Sequence, residues 1–175
     1  MNIISFLESK NFALVQDKLY CGKENGLFFV FFYSTACPHC GPVQSLFNNI
    51  SSRFPQNICK FGTINVSQNP KVVNLSKSSS TPIKFVPLIM AFFNNVPTAI
   101  YSEKYTEQNL IRFVKQCASN LKGQIDSFGR NKTAQAAAVA AMVVEEEIPK
   151  YAGGIPYCDD GVCYLTYEDA AYVKT

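Results

Sequence analysis

The chain contains no tryptophan, a single histidine (His39) and no long apolar run. No segment approaches the roughly 20 consecutive apolar residues that a membrane-spanning helix needs, so no span is predicted. Met1 to Leu7 lacks the basic start and the apolar stretch of a cleaved secretory signal. Charge is sparse as well: 16 Lys and Arg against 13 Asp and Glu leave a net charge of +3. The basic residues are scattered, which argues against a nucleic-acid partner and against a membrane-surface role. Seven cysteines are an odd number, and too few for the dense disulfide framework of a small secreted domain. The expected compartment is therefore the cytoplasm, or the virion or virus factory if the source is viral. Abundant Asn and Lys point towards an AT-rich genome, such as that of a protist or a large DNA virus. The apolar fraction of 47% is enough for a globular core in a chain of 175 residues.

What the chain does have is Cys37-Pro38-His39-Cys40, placed between the apolar run Leu27–Tyr33 and an amphipathic segment beginning near Pro42. Two thiols separated by two residues, where a buried strand turns into a helix, can close a disulfide. The unsatisfied backbone N–H groups of a helix start favour a thiolate on the first sulfur. Cys37 is thus the candidate nucleophile and Cys40 its resolving partner. The same letters, Cys37 to Gly41, also spell half of a zinc ribbon, which needs a second cysteine pair some 15 to 20 residues away. No pair follows at that distance, and a knuckle would sit in a hairpin turn. No metal or other cofactor is expected.

The coarse pattern is α/β. Ile3 to Phe6 reads as a short strand, and Phe12, Val15 and Leu19 mark a helical face after Ser9. Leu27–Tyr33 reads as a strand covered on both faces. A helix from Pro42 to about Phe54, a strand over Cys59–Val66 and a turn-to-helix segment from Gln68 to Leu75 complete a βαβ pattern. Ser76 to Pro82 is a polar loop. Pro87–Phe93, the turn Asn94-Asn95 and Thr98–Ser102 read as an antiparallel hairpin. Leu110, Phe113, Val114, Cys117 and Leu121 give a closing helix with one apolar stripe. Cys59 and Cys117 read as small core residues. Cys21, beside Gly22, reads as structural, with an exposed reactive thiol as the alternative.

This order resembles the thioredoxin fold over residues 1–122. The matches are Cys37-Pro38-His39-Cys40 behind a hydrophobic strand, Ile64-Asn65-Val66-Ser67-Gln68-Asn69-Pro70, and Val86-Pro87-Leu88 leading into the hairpin. The resemblance implies a thioredoxin-like mixed sheet flanked by helices. It makes Pro87 a cis-proline facing the cysteine pair, with the Val86 backbone open to an extended substrate segment. It also exposes departures: Phe31 stands where thioredoxins carry a buried acid, and Thr63 where they carry a Lys. Pro38-His39 is the dipeptide of DsbA-like oxidants, and by that likeness His39 favours the Cys37 thiolate and makes the disulfide more oxidising.

The remaining chain reads as a separate extension over 133–175, joined by a polar linker over 123–132. An Ala-rich helix is predicted over 133–147. Its apolar run is a candidate packing surface, in cis or in a homodimer. In Tyr157-Cys158-Asp159-Asp160-Gly161-Val162-Cys163-Tyr164, Asp-Gly is the strongest short hairpin signal. A two-residue turn there faces Cys158 with Cys163 at a non-hydrogen-bonded position, close enough for a second disulfide. That pair reads either as a shuttle dithiol or as a hairpin staple. The sequence thus predicts a thiol-disulfide oxidoreductase acting on protein thiols or disulfides, with a protein electron donor or acceptor. A non-catalytic thioredoxin-like binding or assembly module with structural disulfides is the alternative.

Overall fold

A computed structural model describes residues 3–127, 157–159 and 161–165. Its centre is a five-stranded sheet of β1 (Ile4–Phe6), β5 (Lys60–Asn65), β4 (Leu27–Tyr33), β7 (Leu88–Phe93) and β8 (Val96–Ile100), in that order across the sheet. β1 and β4 both run parallel to β5, whereas β7 is antiparallel to β4 and to β8. Successive side chains of β4 point to opposite faces. Phe28, Val30 and Phe32 enter one apolar cluster with Ile64, Leu88 and Met90. Phe29 and Phe31 enter the other with Phe61, Phe47 and Ile89. Both faces are covered, and for that reason β4 is a continuous apolar run rather than an alternating one.

The second cluster is closed by α1 (Cys40–Ser51) and α3 (Glu107–Ser127). α1 lays Val43, Phe47 and Ile50 on the sheet. α3 opens at Thr106, whose Oγ1 accepts a hydrogen bond from the Asn109 N–H at 3.3 Å, an N-terminal cap. It buries Leu110, Val114 and Cys117. This helix continues to Ser127, five residues past the boundary at Lys122 where the sequence reading starts its linker. The predicted helix over 133–147 lies outside the described residues.

The first cluster is covered by α2 (Pro70–Lys77) and a hairpin of β2 (Phe12–Val15) and β3 (Lys18–Cys21). No helix carries the face expected after Ser9. Phe12, Val15 and Leu19 lie on two paired strands joined by Gln16 and Asp17, with Val15 opposite Lys18 and Gln16 at φ 58°, and the only helical piece is a 3-10 turn over Ser9–Asn11. Cys21, at the end of this hairpin, is wholly buried, and burial pushes its thiol up to about 12. The exposed reactive thiol considered for it is thereby excluded.

The β7–β8 turn falls on Asn94-Asn95. Both residues have positive φ, 46° and 74°, the backbone of a two-residue hairpin turn that Asn tolerates. β8 starts at Val96, directly after the turn and two residues before the predicted strand. Gly62 is required by close packing: a Cβ there would meet Phe28 Cζ at 2.6 Å and the Ser5 carbonyl at 3.1 Å.

A second, three-stranded sheet lies beside this frame. It consists of β6 (Phe85–Val86), β10 (Val162–Tyr164) and β9 (Tyr157–Asp159), all antiparallel, with β10 in the middle. The C-terminal hairpin therefore docks on the two residues that precede Pro87. Among the described residues, no helix is long and apolar enough to cross a membrane.

Candidate active site: two cysteine pairs and a cis-proline

The parallel strands β4 and β5 end side by side, held by a 2.8 Å hydrogen bond from the Val66 N–H to the Tyr33 carbonyl. Beyond them Ser34 builds the turn into α1. Its side chain hydrogen-bonds the Ser67 hydroxyl and accepts the Ala36 N–H at 3.2 Å, and its carbonyl accepts the Cys37 N–H at 3.2 Å. The Cys40 N–H then donates to the Cys37 carbonyl at 3.2 Å, so α1 starts at the second cysteine with His39 as its capping position. Open α/β sheets place chemistry at this end, beyond the carboxyl ends of parallel strands.

Cys37 and Cys40 are unlinked thiols, 5% and 2% exposed. They differ in acidity. The Cys40 thiol hydrogen-bonds the Cys37 sulfur and brings its pKa down to about 7, against the opposing effect of burial, with help from the backbone N–H groups of His39 and Cys40. Cys40 is pushed strongly up, first by donating that hydrogen bond and then by burial. One sulfur is thus poised as a thiolate and the other as a proton-bearing thiol. Pro38 and the imidazole-bearing His39 are both exposed. His39 lowers the Cys37 pKa through its backbone N–H.

The Val86–Pro87 peptide bond is cis. The Cys37 thiol points at the Val86 carbonyl, with 3.7 Å between sulfur and oxygen. The Pro87 carbonyl accepts a hydrogen bond from the Tyr105 hydroxyl at 2.7 Å. Sequence reasoning missed Tyr105, which precedes α3 and carries no motif. Burial above all keeps its phenol protonated, and negative charge on Cys40 and Cys37 would act in the same direction. Phe31 is fully buried in the second cluster and pairs with Thr63 across β4 and β5, so the positions of the missing acid and Lys are neighbours in the sheet. The Thr63 hydroxyl is buried without a hydrogen-bond partner among the described residues.

Cys158 and Cys163 form a disulfide across β9 and β10, in the register Asp159–Val162, Cys158–Cys163, Tyr157–Tyr164. Gly161, in the turn, has φ 80°. Cys163 also stands opposite Val86 on β6. Sequence reasoning found the hairpin but gave no sign of this docking. Cys37, Cys40, Val86 and Cys163 consequently share one apolar cluster, with Cys158 packed at its margin. Cys59, by contrast, lies in the opposite cluster, where burial pushes it up to about 12. Among the described residues, no group of His, Cys, Asp and Glu side chains could hold a metal ion.

A mixed sheet that carries a C-x-x-C pair at a strand-to-helix junction, facing a cis-proline, defines a thiol-bearing exchange or binding domain. The Thioredoxin family model matches residues 6–116, and the chain belongs to the thioredoxin family. It is 27% identical over 172 residues to uncharacterized protein 020R of Invertebrate iridescent virus 3, covering 94% of this chain and 93% of that protein. It is 35% identical over 92 residues to uncharacterized protein 196R of Invertebrate iridescent virus 6, covering 53% of this chain and about half (52%) of that relative. Among solved structures, human ERp44 in crystal form II is similar with a TM-score of 0.54 and 15% identity, covering 67% of this chain and 31% of that one. Form I of the same protein gives 0.51 and 15%, covering 66% and 29%. That likeness concerns the fold alone.

Proposed function

We propose that this protein is a thiol-disulfide oxidoreductase acting on protein substrates through Cys37 and Cys40, with an oxidising bias. The observation that carries the reading is the unequal pair beside cis-Pro87: a Cys37 thiol near neutrality and a Cys40 thiol held protonated. In the oxidising direction a substrate thiolate attacks the Cys37 sulfur of the Cys37–Cys40 disulfide, and Cys40 leaves and takes up a proton. A second substrate thiolate then attacks the substrate sulfur of the mixed disulfide, and Cys37 leaves as a stabilised thiolate. Stabilising that thiolate stabilises the reduced enzyme, which makes its disulfide the stronger oxidant. Phe31 in place of an acid removes an assistant for deprotonating Cys40, which weighs against efficient reduction.

Equilibration with glutathione tests the bias. The expected potential lies at roughly −240 to −130 mV, and a value at or below about −270 mV, that of thioredoxin, overturns it. Insulin reduction by a small dithiol tests the exchange itself. A binding or assembly module is the second reading, favoured by the β6 edge being occupied and Cys37 being nearly closed off. Its signature is a chain that never forms a mixed disulfide. The likeness to two viral proteins is compatible with action in an infected cell's cytoplasm, virus factory or virion.

A further inference from the structure

The edge that cis-Pro87 leaves for an extended partner already holds one. Leu165 donates its N–H to the Lys84 carbonyl at 3.3 Å, which makes Lys84 and Leu165 a hydrogen-bonded pair of the β6–β10 ladder. Such pairs alternate along an antiparallel ladder, so Cys163 and Val86, two positions on, form the next one. The N–H and C=O of Cys163 therefore point to β6, and its contact with Cys158 is of the close, non-hydrogen-bonded kind. The Val86 carbonyl receives the Cys37 thiol from one side and faces the Cys163 backbone on the other. The docking is packed as well as hydrogen-bonded: Cys163 and Leu165 are buried in the cluster that contains Cys37 and Cys40, and the Phe85 and Tyr164 rings meet edge-on at 6.2 Å. Cys158 is only half-buried.

We propose that the Cys158–Cys163 hairpin is a built-in redox partner of the Cys37–Cys40 pair, docked as a substrate strand beside cis-Pro87 and exchanging its disulfide with that pair. The inference rests on the oxidoreductase reading and deepens it. The Cys37 thiolate attacks the Cys163 sulfur, a Cys37–Cys163 bond forms, and Cys158 leaves into the half-open side of the hairpin and takes up a proton. Cys40 then loses its proton and attacks Cys37, and Cys163 leaves and is protonated. Two electrons and two protons have passed from the Cys37–Cys40 dithiol to the hairpin, and no other oxidant is consumed. The reverse sequence reloads the hairpin.

Full-length Cys40→Ser, purified with the hairpin disulfide intact, stops this sequence after its first step. Acid quenching, alkylation and peptide mapping should find Cys37 linked to Cys163 with Cys158 alkylated. Recovery of alkylated Cys37 and an intact Cys158–Cys163 bond alone, or a Cys37–Cys158 link, overturns the proposal. The unmutated chain gives an independent measurement. Oxidised at both pairs and then given one equivalent of dithiothreitol, it should redistribute electrons between the pairs at a rate independent of protein concentration; a rate proportional to concentration means exchange between molecules and overturns the relay. A chain that equilibrates Cys37–Cys40 with glutathione yet shows neither result loses the relay alone. A chain whose Cys37–Cys40 pair takes no part in any exchange loses the oxidoreductase reading too.

Discussion

The molecule carries two cysteine pairs that could do the same chemistry, and the backbone treats them differently. Cys37 and Cys40 flank a strand-to-helix turn, where helix geometry sets the second thiol to donate to the first and separates their acidities. Cys158 and Cys163 face one another across a ladder, where strand geometry brings like to like and a bond forms. A helix start makes two thiols of unequal acidity; a hairpin brings two cysteines into register for a bond. The difference teaches that spacing alone, two intervening residues against four, does not assign a role.

The comparison breaks most sharply at the attacking sulfur. Cys37→Ser should lower exchange with a protein disulfide by about a thousandfold or more, whereas Cys40→Ser should still attack and accumulate mixed disulfides, resolved on a non-reducing gel. Equal trapping by both variants would erase the asymmetry. Next in size is pH. Because the Cys37 pKa is lowered to about 7, its alkylation should rise with pH and reach half its plateau near 7 rather than 9. The sign for stability follows: the reduced protein gains from this thiolate fully above about pH 9, the range of an ordinary thiol, and loses the gain as pH falls through 7. Urea titrations of the reduced and oxidised forms at pH 6 and 9 would detect it.

Gly161→Val probes the hairpin alone. Among the described residues no atom lies within 4 Å of the added Cβ, but φ 80° is strained for a β-branched residue by about 1–2 kcal/mol. Undocking should become easier and Cys37 alkylation faster, by about tenfold, with the urea midpoint of the main domain unchanged. An unaltered alkylation rate would mean that the hairpin does not cover the site. The smallest effect belongs to Tyr105→Phe, which removes the 2.7 Å bond to the Pro87 carbonyl at about 1 kcal/mol. Exchange with protein substrates should slow severalfold while alkylation of Cys37 by a small reagent stays the same.

The central sheet was legible in the sequence because its strands follow simple rules. Leu27–Tyr33 is continuously apolar, as a doubly covered strand must be, and Asn94-Asn95 announces its turn. Phe12, Val15 and Leu19 misled because spacings of three and four residues also arise when two short strands fold back through a two-residue turn. Of the site, the two pairs and Pro87 were readable from motifs. The pairing of Cys163 with Val86 and the bond from Tyr105 to Pro87 were not, since each joins residues distant in sequence whose contact leaves no local periodicity.

The strand seated on β6 also sets a threshold for anything that approaches from solution. Being part of the same chain, it competes with outside peptides at an effective concentration that does not fall on dilution. Any extended segment that is to pair with Phe85 and Val86 must first displace the strand Val162–Tyr164. The edge is thus guarded by a competitor of fixed local concentration rather than by the shape of a groove, and dilution of the protein does not open it.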